Sequence, residues 1–286
     1  MIRLLVSDVD GTLLNSRSEL TPAVVEAARR LRESGVVFAI ASGRNIEAIH
    51  PISGAFGGGM PALALNGGQI FDAQGKMLQQ LTLPEEAVDS LLKVSERFSC
   101  FTALFFDCGV YTPDAMEEAL VKMTAGYMPL YHLEHDRAEH MCIRTLEDCQ
   151  VETLPQNWDW QANPFLKVRY VFSRKEDCAA AANMLGTHSG VSLFPTDYDL
   201  EVTPLGADKG SAALALGKLL GIAPEETAVM GDSANDRSML SRFEHSFVLG
   251  NGDPQTKACA AHTVADNDHD GAAEVMGWIL KWNQSL

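Results

Sequence analysis

The sequence predicts an α/β protein whose core is a doubly wound parallel sheet, Rossmann-like in its alternation, with a second α/β domain inserted into it. Short apolar segments alternate with amphipathic helical segments at both ends of the chain, which is typical of a parallel sheet covered on both faces. In the middle of the chain this alternation changes character. We therefore expect residues 1–83 and 200–286 to form one core, and residues 84–199 to form an inserted α/β cap with its own hydrophobic interior.

The first elements of the sheet follow from apolar periodicity and helix boundary signals. "IRLLVS" predicts a strand, and "TPAVVEAARRLRESG" predicts a helix with Thr21 as N-cap, Pro22 at its first position and Gly35 as its stop. "VVFAIAS" and "PALALN" predict the next two strands, with a helix that begins near Asn45 between them. "QIFDAQGKMLQQ" alternates around a Gln-Gly pair and predicts a hairpin appended to the parallel strands.

The middle and the end of the chain complete the expected order. The cap is predicted to run helix, strand, helix, a polar stretch without clear periodicity, strand, helix and one last strand, "VSLFPTDYDLEVT". The polar stretch includes "YHLEHDRAEH", whose histidines match no zinc motif, so His132, His135 and His140 are expected in a solvated loop. Beyond the cap, "TAVMG" and "HSFVLG" predict further strands, with helices before, between and after them.

Composition limits the class of partner. The chain has 286 residues and a formal net charge of −16, which gives no electrostatic reason to bind nucleic acid or an anionic membrane. No apolar run is long enough to span a bilayer, and the N-terminus lacks a secretory signal, so we expect a cytoplasmic protein. The six cysteines show no C-x-x-C spacing and are expected to be free, partly buried thiols. An anionic substrate would need a local cation.

Polar residues follow four of the predicted core strands. They are Asp8 and Asp10, "SGR" at residues 42–44, "NGG" at 66–68 and "GDSAND" at 231–236. In a doubly wound sheet, ligands bind at the carboxyl ends of the strands where the strand order reverses. We therefore expect these four segments to converge on one crevice.

Two pairs of aspartates in these segments predict a metal. Asp8 and Asp10 lie on one side of an extended strand, whereas Asp232 and Asp236 are four residues apart at an expected helix start. Carboxylates held this close repel each other. A crevice with four carboxylates is a cage of hard oxygen ligands, which is the preference of Mg²⁺. Surface aspartates placed by chance would not explain two such pairs at two strand ends.

A serine and a lysine indicate an anion beside the metal. Ser42 ends a strand and Gly43 follows it, which fits a hydroxyl and a bare backbone amide presented to phosphate, although Ser-Gly after a strand also fits an ordinary turn. Lys209 opens a helix, where the helix dipole disfavours a lysine unless an anion accompanies it. A solvated surface lysine is the alternative interpretation.

Together these motifs resemble a known family. "DVDGTLL", "ASGR", "NGG", the lysine of "ADKG" and "GDSANDRSML" resemble, in order and spacing, the haloacid dehalogenase-like hydrolase superfamily and, within it, the Cof-type phosphatases. The resemblance covers essentially the whole chain, including a large cap. It implies a magnesium-dependent phosphatase that acts on a small phosphorylated metabolite, such as a sugar phosphate, a nucleotide or a phosphorylated cofactor, with specificity residing in the cap.

The resemblance also implies a role for each motif residue. Asp8 matches the nucleophile that forms an aspartyl-phosphate, and Asp10 matches the general acid and base. The magnesium ligands match Asp8, Asp232 and the backbone carbonyl of Asp10, with Asp236 in a supporting position. The groups that match phosphate-binding or neighbouring positions are Ser42, Gly43, Lys209 and Asn235, with Asn66 and Gly67 in a loop beside the site.

Two other functions remain open at this point. A phosphomutase would use the same residues but transfer the phosphoryl group to a second hydroxyl instead of water. A binding or regulatory protein could keep the fold without turnover, but such a protein has no need for the mutually repelling set Asp8, Asp10 and Asp232 around Lys209.

Overall fold

The chain is described by a computed structural model that covers residues 1–186 and 188–286. These residues divide into two compact units: unit 1 is Met1–Gln80 with Ala207–Leu286, and unit 2 is Leu81–Gly206. The sequence placed the boundaries at 83/84 and 199/200. The second of these would cut the strand Asp199–Pro204, which pairs on both sides within unit 2 and therefore stays whole there.

Helices and strands are numbered along the chain. The first segment of unit 1 contains β1 (Leu4–Ser7), α1 (Pro22–Glu33), β2 (Val37–Ala41), α2 (Ile46–Ala55), β3 (Ala62–Ala64), β4 (Gln69–Phe71) and β5 (Met77–Gln80). Unit 2 contains α3 (Glu85–Arg97), β6 (Cys100–Phe106), β7 (Gly109–Thr112), α4 (Met116–Tyr131), α5 (His135–Asp148), β8 (Glu152–Thr153), β9 (Phe165–Phe172), α6 (Lys175–Leu185), β10 (Val191–Pro195) and β11 (Asp199–Pro204). The second segment of unit 1 contains α7 (Lys209–Leu220), β12 (Thr227–Gly231), α8 (Arg237–Leu240), β13 (His245–Val248), α9 (Pro254–Lys257), β14 (His262–Thr263) and α10 (Gly271–Gln284).

The sheet of unit 1 is doubly wound, as the sequence predicts. Its strands lie in the order β14-β13-β12-β1-β2-β3-β4-β5, parallel from β14 to β3, with β4 and β5 added as an antiparallel hairpin. Leu4 of β1 pairs with Val37 on one side and Thr227 on the other. The chain therefore winds outward from β1 in one direction and from β12 in the other. This reversal places the carboxyl ends of β1 and β12 side by side, where such sheets bind ligands.

Helix α1 shows how local sequence sets the elements that pack on this sheet. Thr21 Oγ1 accepts a hydrogen bond from the backbone N–H of Val24 at 3.2 Å, and Pro22 occupies the first helical position. The buried face of the helix carries Val24, Ala28 and Leu31 at helical spacing. The helix ends at Glu33, and Gly35 follows the C-cap Ser34 with φ of +88°, so the predicted start and stop are both confirmed.

Unit 2 has a sheet of its own, in the order β10-β11-β9-β6-β7-β8. Alternate residues of β6 and β9 face two separate apolar clusters. One cluster packs against α3 and α6, and the other packs against α4 and α5. The thiols of Cys100, Cys142 and Cys178 are free and buried in these layers, as expected from the cysteine spacing. Within the described part of the chain, no helix is long and apolar enough to cross a membrane.

Two sequence predictions for unit 2 are wrong. The segment predicted as one last strand is the hairpin β10-β11, because Thr196 turns the chain: its N–H donates to Asp199 O at 2.7 Å and its hydroxyl accepts from Asp199 N at 3.0 Å. The polar stretch predicted as a loop contains α5, whose buried residues Ala138, Cys142 and Leu146 recur every four positions among charged ones. His135 and His140 lie on this helix, and His132 is the left-handed cap of α4.

Candidate active site

The end of β1 brings a buried aspartate against a buried lysine. Asp8 follows the last residue of β1 and is 4% exposed, and Lys209 is the first residue of α7 and is 0% exposed. Lys209 Nζ donates to Asp8 Oδ1 at 2.5 Å and to Asp236 Oδ1 at 2.7 Å. The anion that a lysine at a helix start requires is thus supplied by two carboxylates.

Asp236 ties this pair to the loop after β12. Its Oδ2 accepts hydrogen bonds from the backbone N–H of Asp232 at 3.0 Å and of Ser233 at 2.9 Å. Because its other oxygen accepts from Lys209, both oxygens of Asp236 hold protein groups in place. This geometry fits the supporting position that the sequence resemblance implies.

Three carboxylates form the candidate metal site. Oxygen atoms of Asp8, Asp232 and Asp236 lie within 4.8 Å of one another. The Asp232 carboxylate accepts a hydrogen bond from Thr12 Oγ1 at 2.8 Å. It packs directly on Gly11, which has a φ of +79° and where a Cβ atom would clash with Asp232. The loop after β1 therefore closes around the carboxylate that follows β12.

The electrostatics of the cluster favour a cation. Burial, and then the charge of Asp236, raise the pKa of Asp8 well above its ordinary value. The same two causes raise the pKa of Asp232 from 3.8 to about 7. Burial by itself would lower the pKa of Lys209, but the charges of Asp236 and Asp8 outweigh it and raise that pKa. Burial and the proximity of the carboxylates to one another therefore both make the ionised, metal-free cluster unfavourable.

These residues fit a divalent cation. Three carboxylates and one ammonium carry a formal charge of −2 when all are ionised, which a divalent cation balances. Carboxylate oxygens are the ligands that Mg²⁺ prefers. Asp236 is fully buried and accepts two backbone N–H bonds on one oxygen and Lys209 on the other, whereas the single donors on Asp8 and Asp232 oxygens leave lone pairs for the ion.

Asp10 lies outside the carboxylate cluster. Its two oxygens accept hydrogen bonds from Arg44, Oδ2 from Nε at 2.9 Å and Oδ1 from Nη2 at 2.6 Å, and its side chain is 55% exposed. The expectation of four carboxylates in one cage is therefore wrong for the Asp10 side chain. A bidentate guanidinium gives Asp10 its own compensating charge, so it does not need the metal for that purpose.

The predicted phosphate-binding segments lie against one another. Asn66 N donates to the carbonyl of Ser42 at 2.9 Å, and Asn235 Nδ2 donates to Asn66 Oδ1 at 3.1 Å. Ser42 and Asn66 are buried, and Gly43 follows Ser42 in the turn after β2. The loops after β2, β3 and β12 are thus joined by hydrogen bonds.

The loop after β3 has an unusual backbone. Leu65, Asn66 and Gly67 have φ values of +52°, +58° and +91°, which is the left-handed region, and Leu65 and Asn66 are buried. A Cβ on Gly67 would lie 2.5 Å from Ala212 Cβ and 2.8 Å from Asp208 O. Strained backbone of this kind concentrates at functional sites.

Sequence reasoning gave no role to three residues that contact the site: Thr12, Arg44 and Asn251. Arg44 lay inside a quoted motif, and its pairing with Asp10 across 34 positions required the fold. Asn251 donates to Asp232 Oδ2 at 3.1 Å and follows β13, so the signal that could have found it is a polar residue after a further parallel strand.

Comparisons with known proteins identify the family of the chain. The family described as haloacid dehalogenase-like hydrolase matches residues 5–276. The HMP-PP phosphatase of Klebsiella pneumoniae (strain 342) is 27% identical over 96% of this chain and 95% of that protein. Phosphatase YwpJ of Bacillus subtilis (strain 168) is 24% identical over 98% of this chain and 100% of that protein.

Solved structures show the same fold. A haloacid dehalogenase-like hydrolase from B. subtilis superposes with a TM-score of 0.83 at 23% identity, covering 96% of this chain and 99% of that one. Another from Bacteroides thetaiotaomicron gives 0.77 at 24% identity, covering 98% and 100%. The predicted α/β fold class is confirmed, and so is the predicted class of enzyme, a phosphoric monoester hydrolase. The chain belongs to the haloacid dehalogenase-like hydrolases.

Proposed function

We propose that this protein is a magnesium-dependent phosphatase that hydrolyses a small phosphorylated metabolite through an aspartyl-phosphate on Asp8. The observation that supports this most directly is the buried Asp8 carboxylate, which Lys209 holds beside Asp232 at the carboxyl end of β1. Phosphoryl transfer spreads negative charge over the equatorial oxygens of phosphorus, so a fixed cation and an anion-binding loop are what it requires.

In the first step an oxygen of Asp8 attacks phosphorus, and the bond from phosphorus to the leaving oxygen breaks. Asp10 gives the leaving oxygen its proton, so the product is a neutral alcohol. Lys209 compensates charge on Asp8 and on the phosphoryl group, and the groups proposed to hold the phosphoryl oxygens are Ser42, Gly43, Lys209 and Asn235. Asn66 supports Ser42 and Asn235 from the neighbouring loop, in which Gly67 follows it.

In the second step Asp10 takes a proton from water, the oxygen of that water attacks phosphorus, and the bond to Asp8 breaks. Phosphate leaves and Asp8 is restored. Asp8, Asp232 and the backbone carbonyl of Asp10 would hold Mg²⁺, which supplies compensation of charge on the phosphoryl oxygens when bound. Arg44 engages both oxygens of Asp10, and each oxygen keeps a further lone pair for the proton that Asp10 transfers.

Replacement of Asp10 by asparagine tests these roles. The variant keeps the backbone carbonyl and the nucleophile Asp8 but lacks a group that transfers protons. We expect turnover of alkyl phosphates to fall by about 100- to 10,000-fold, with a smaller loss for activated aryl phosphates, whose leaving groups need no proton. A phosphoenzyme should accumulate on Asp8 and be visible as an intact-mass increase after acid quench.

Asp8→Asn is the matched control, because it is nearly isosteric and should show no phosphoenzyme. Equal proportional losses for alkyl and aryl esters, with no covalent phosphate in single-turnover reactions, would contradict the role of Asp10. Phosphate release without an added bisphosphate activator separates this function from a phosphomutase.

The inserted segment, residues 84–199, is proposed to select the leaving group of the substrate. HMP-PP is the compound named for relatives that are 27–28% identical to this chain, and it is the first compound to test in a panel of sugar phosphates, nucleotides and phosphorylated cofactors. Replacing residues 81–206 by a short linker should remove discrimination within that panel while an aryl phosphate still reacts. Unchanged discrimination by a folded truncation would place selectivity in unit 1.

A further inference from the structure

We infer that Asn251 is a positioning residue that holds the carboxylate of Asp232 in the orientation needed for the metal. This inference rests on the proposed function, because it takes Asp232 as a metal-holding residue. Asn251 lies in the loop after β13, outside every motif that identifies the family in this chain.

The amide of Asn251 joins two other loops of the site. Its Nδ2 donates to the carbonyl of Gly11 at 2.9 Å and to Asp232 Oδ2 at 3.1 Å. Gly11 belongs to the loop after β1 and Asp232 to the loop after β12. One side-chain amide therefore fixes the carboxylate relative to the loop that carries Asp8 and Asp10.

The other oxygen of Asp232 is held by a different residue. Thr12 Oγ1 donates to Asp232 Oδ1 at 2.8 Å, and Thr12 is buried. Because each oxygen accepts one hydrogen bond, rotation of the carboxylate about the Cβ–Cγ bond would break at least one of them. The orientation is thus set before a metal arrives, which lowers the cost of ordering the ligand on binding.

The orientation of the Asn251 amide is itself determined. Asn251 Oδ1 accepts a hydrogen bond from the backbone N–H of Asn267 at 3.2 Å, and Asn267 Nδ2 donates to the carbonyl of Leu14 at 2.9 Å. A backbone N–H can only donate, so the oxygen of Asn251 must face Asn267 and its NH₂ must face Asp232. The two asparagines extend the network to the loop after β14.

The test is the affinity for Mg²⁺ itself, measured by isothermal titration of the full-length chain. Asn251→Leu removes the donor at similar volume and, because Asn251 is exposed, opens no cavity in the core. Loss of a group that orients a metal ligand typically weakens metal binding by about 10- to 100-fold. We expect a loss of that size, recovery of activity at high Mg²⁺ concentration, and little change in the thermal midpoint in chelator. Asn251→Ser, which is too short to reach Asp232, should behave in the same way.

Asn283→Leu is the matched control. Asn283 also bridges backbone groups, donating to Ile2 O at 2.8 Å and accepting from Ile2 N at 2.7 Å, but it does so on α10. Its loss should leave the Mg²⁺ affinity unchanged. The inference is overturned if both Asn251 variants bind Mg²⁺ as the wild type does, if their loss matches that of Asn283→Leu, or if the wild type does not bind Mg²⁺. A wild type that binds Mg²⁺ with the expected Asn251 dependence but releases no phosphate would contradict the proposed function alone.

Discussion

Replacing Lys209 with methionine removes the cation that Asp8 and Asp236 share while keeping most of the side-chain volume. Lys209 is fully buried and Asp236 is fully buried, so in the variant two carboxylates face each other without it. Breaking a buried ion pair by removing one partner costs about 3–5 kcal/mol. For a folding unit of this size each kcal/mol shifts the thermal midpoint by about 2–4 °C, so we expect a decrease of about 6–20 °C in chelator.

The loss should depend on pH in a defined direction. The folded-state pKa of Asp8 is already raised, by burial first and by Asp236 second, and the charge of Lys209 opposes that rise. Without Lys209 the pKa rises further, so the folded variant binds a proton more tightly than the unfolded chain does. Stability from such a group is present at low pH and is lost as pH rises through the folded pKa. The deficit of the variant should therefore be smaller near pH 5 than at pH 8.

Urea denaturation of wild type and variant across this pH range, in chelator, measures both effects. Lys218→Met is the matched control on the same helix, where an exposed lysine should change the free energy of unfolding by no more than about 0.5 kcal/mol. Adding Asp236→Asn to Lys209→Met removes one of the two facing charges and should restore part of the stability. A Lys209→Met deficit below about 1 kcal/mol at pH 8, or one equal to that of Lys218→Met, would refute the buried charge cluster.

Three further predictions concern single residues. In chelator, the wild type should lose stability relative to Asp232→Asn as pH rises from about 4 to about 7, because burial and a neighbouring carboxylate raise the folded-state pKa of Asp232 from 3.8 to about 7; parallel pH dependences of the two thermal midpoints would contradict this. Gly67→Ala should destabilise unit 1 by more than about 1 kcal/mol and reduce turnover, because φ is +91° and the new Cβ would lie 2.5 Å from Ala212 Cβ. Circular dichroism melts measure the stability, and activity at saturating substrate measures the turnover. Tyr170→Phe should cost about 1 kcal/mol by urea denaturation, because the buried hydroxyl donates to Leu91 O at 2.7 Å, and a neutral result would show that the bond contributes nothing net.

The parts of the fold that sequence predicts are those whose signals are local. The period of apolar residues identified β1, α1 and β2, and the Thr-Pro start of α1 placed its first residue. The hairpin of unit 1 followed from a Gln-Gly turn between alternating segments. Each of these features is encoded within about 15 residues, so no knowledge of the tertiary fold was needed.

The parts that sequence misses depend on packing and turn geometry that the period of apolar residues does not report. The buried residues of α5 occur once per turn among charges, which is too narrow a face to outweigh the polar composition until α4 supplies the surface that it covers. Strands β10 and β11 were predicted as one segment, although the polar residues Thr196 and Asp197 interrupt their apolar pattern. The turn around Thr196 separates the two strands.

The candidate site divides in the same way. Four residues of the site could be predicted, because ionisable residues at strand ends and helix starts are energetically unfavourable and therefore stand out in the sequence. They are Asp8, Lys209, Asp232 and Asp236. The sequence reasoning missed Arg44 and Asn251, because an arginine or an asparagine in a surface loop is unremarkable by type. Asn251 donates to the carbonyl of Gly11, which lies 240 positions away in the chain and is brought next to it only by the fold.

The charged residues that suit this site for catalysis also destabilise the folded protein. A buried aspartate whose pKa is raised has lost hydration that it would keep in the unfolded chain, so Asp8 and Asp232 destabilise the metal-free protein at neutral pH. A ligand that binds only the folded state returns stability in proportion to the logarithm of its concentration over its dissociation constant. The ion that Asp8 and Asp232 would hold balances the charge that destabilises the metal-free protein. Mg²⁺ affinity and the free energy of unfolding at neutral pH therefore both depend on how these carboxylates are placed. A substitution that weakens Mg²⁺ binding by reorienting Asp232 should therefore reduce the thermal shift produced by Mg²⁺ while leaving the midpoint in chelator in place. A substitution that removes the carboxylate should raise that midpoint.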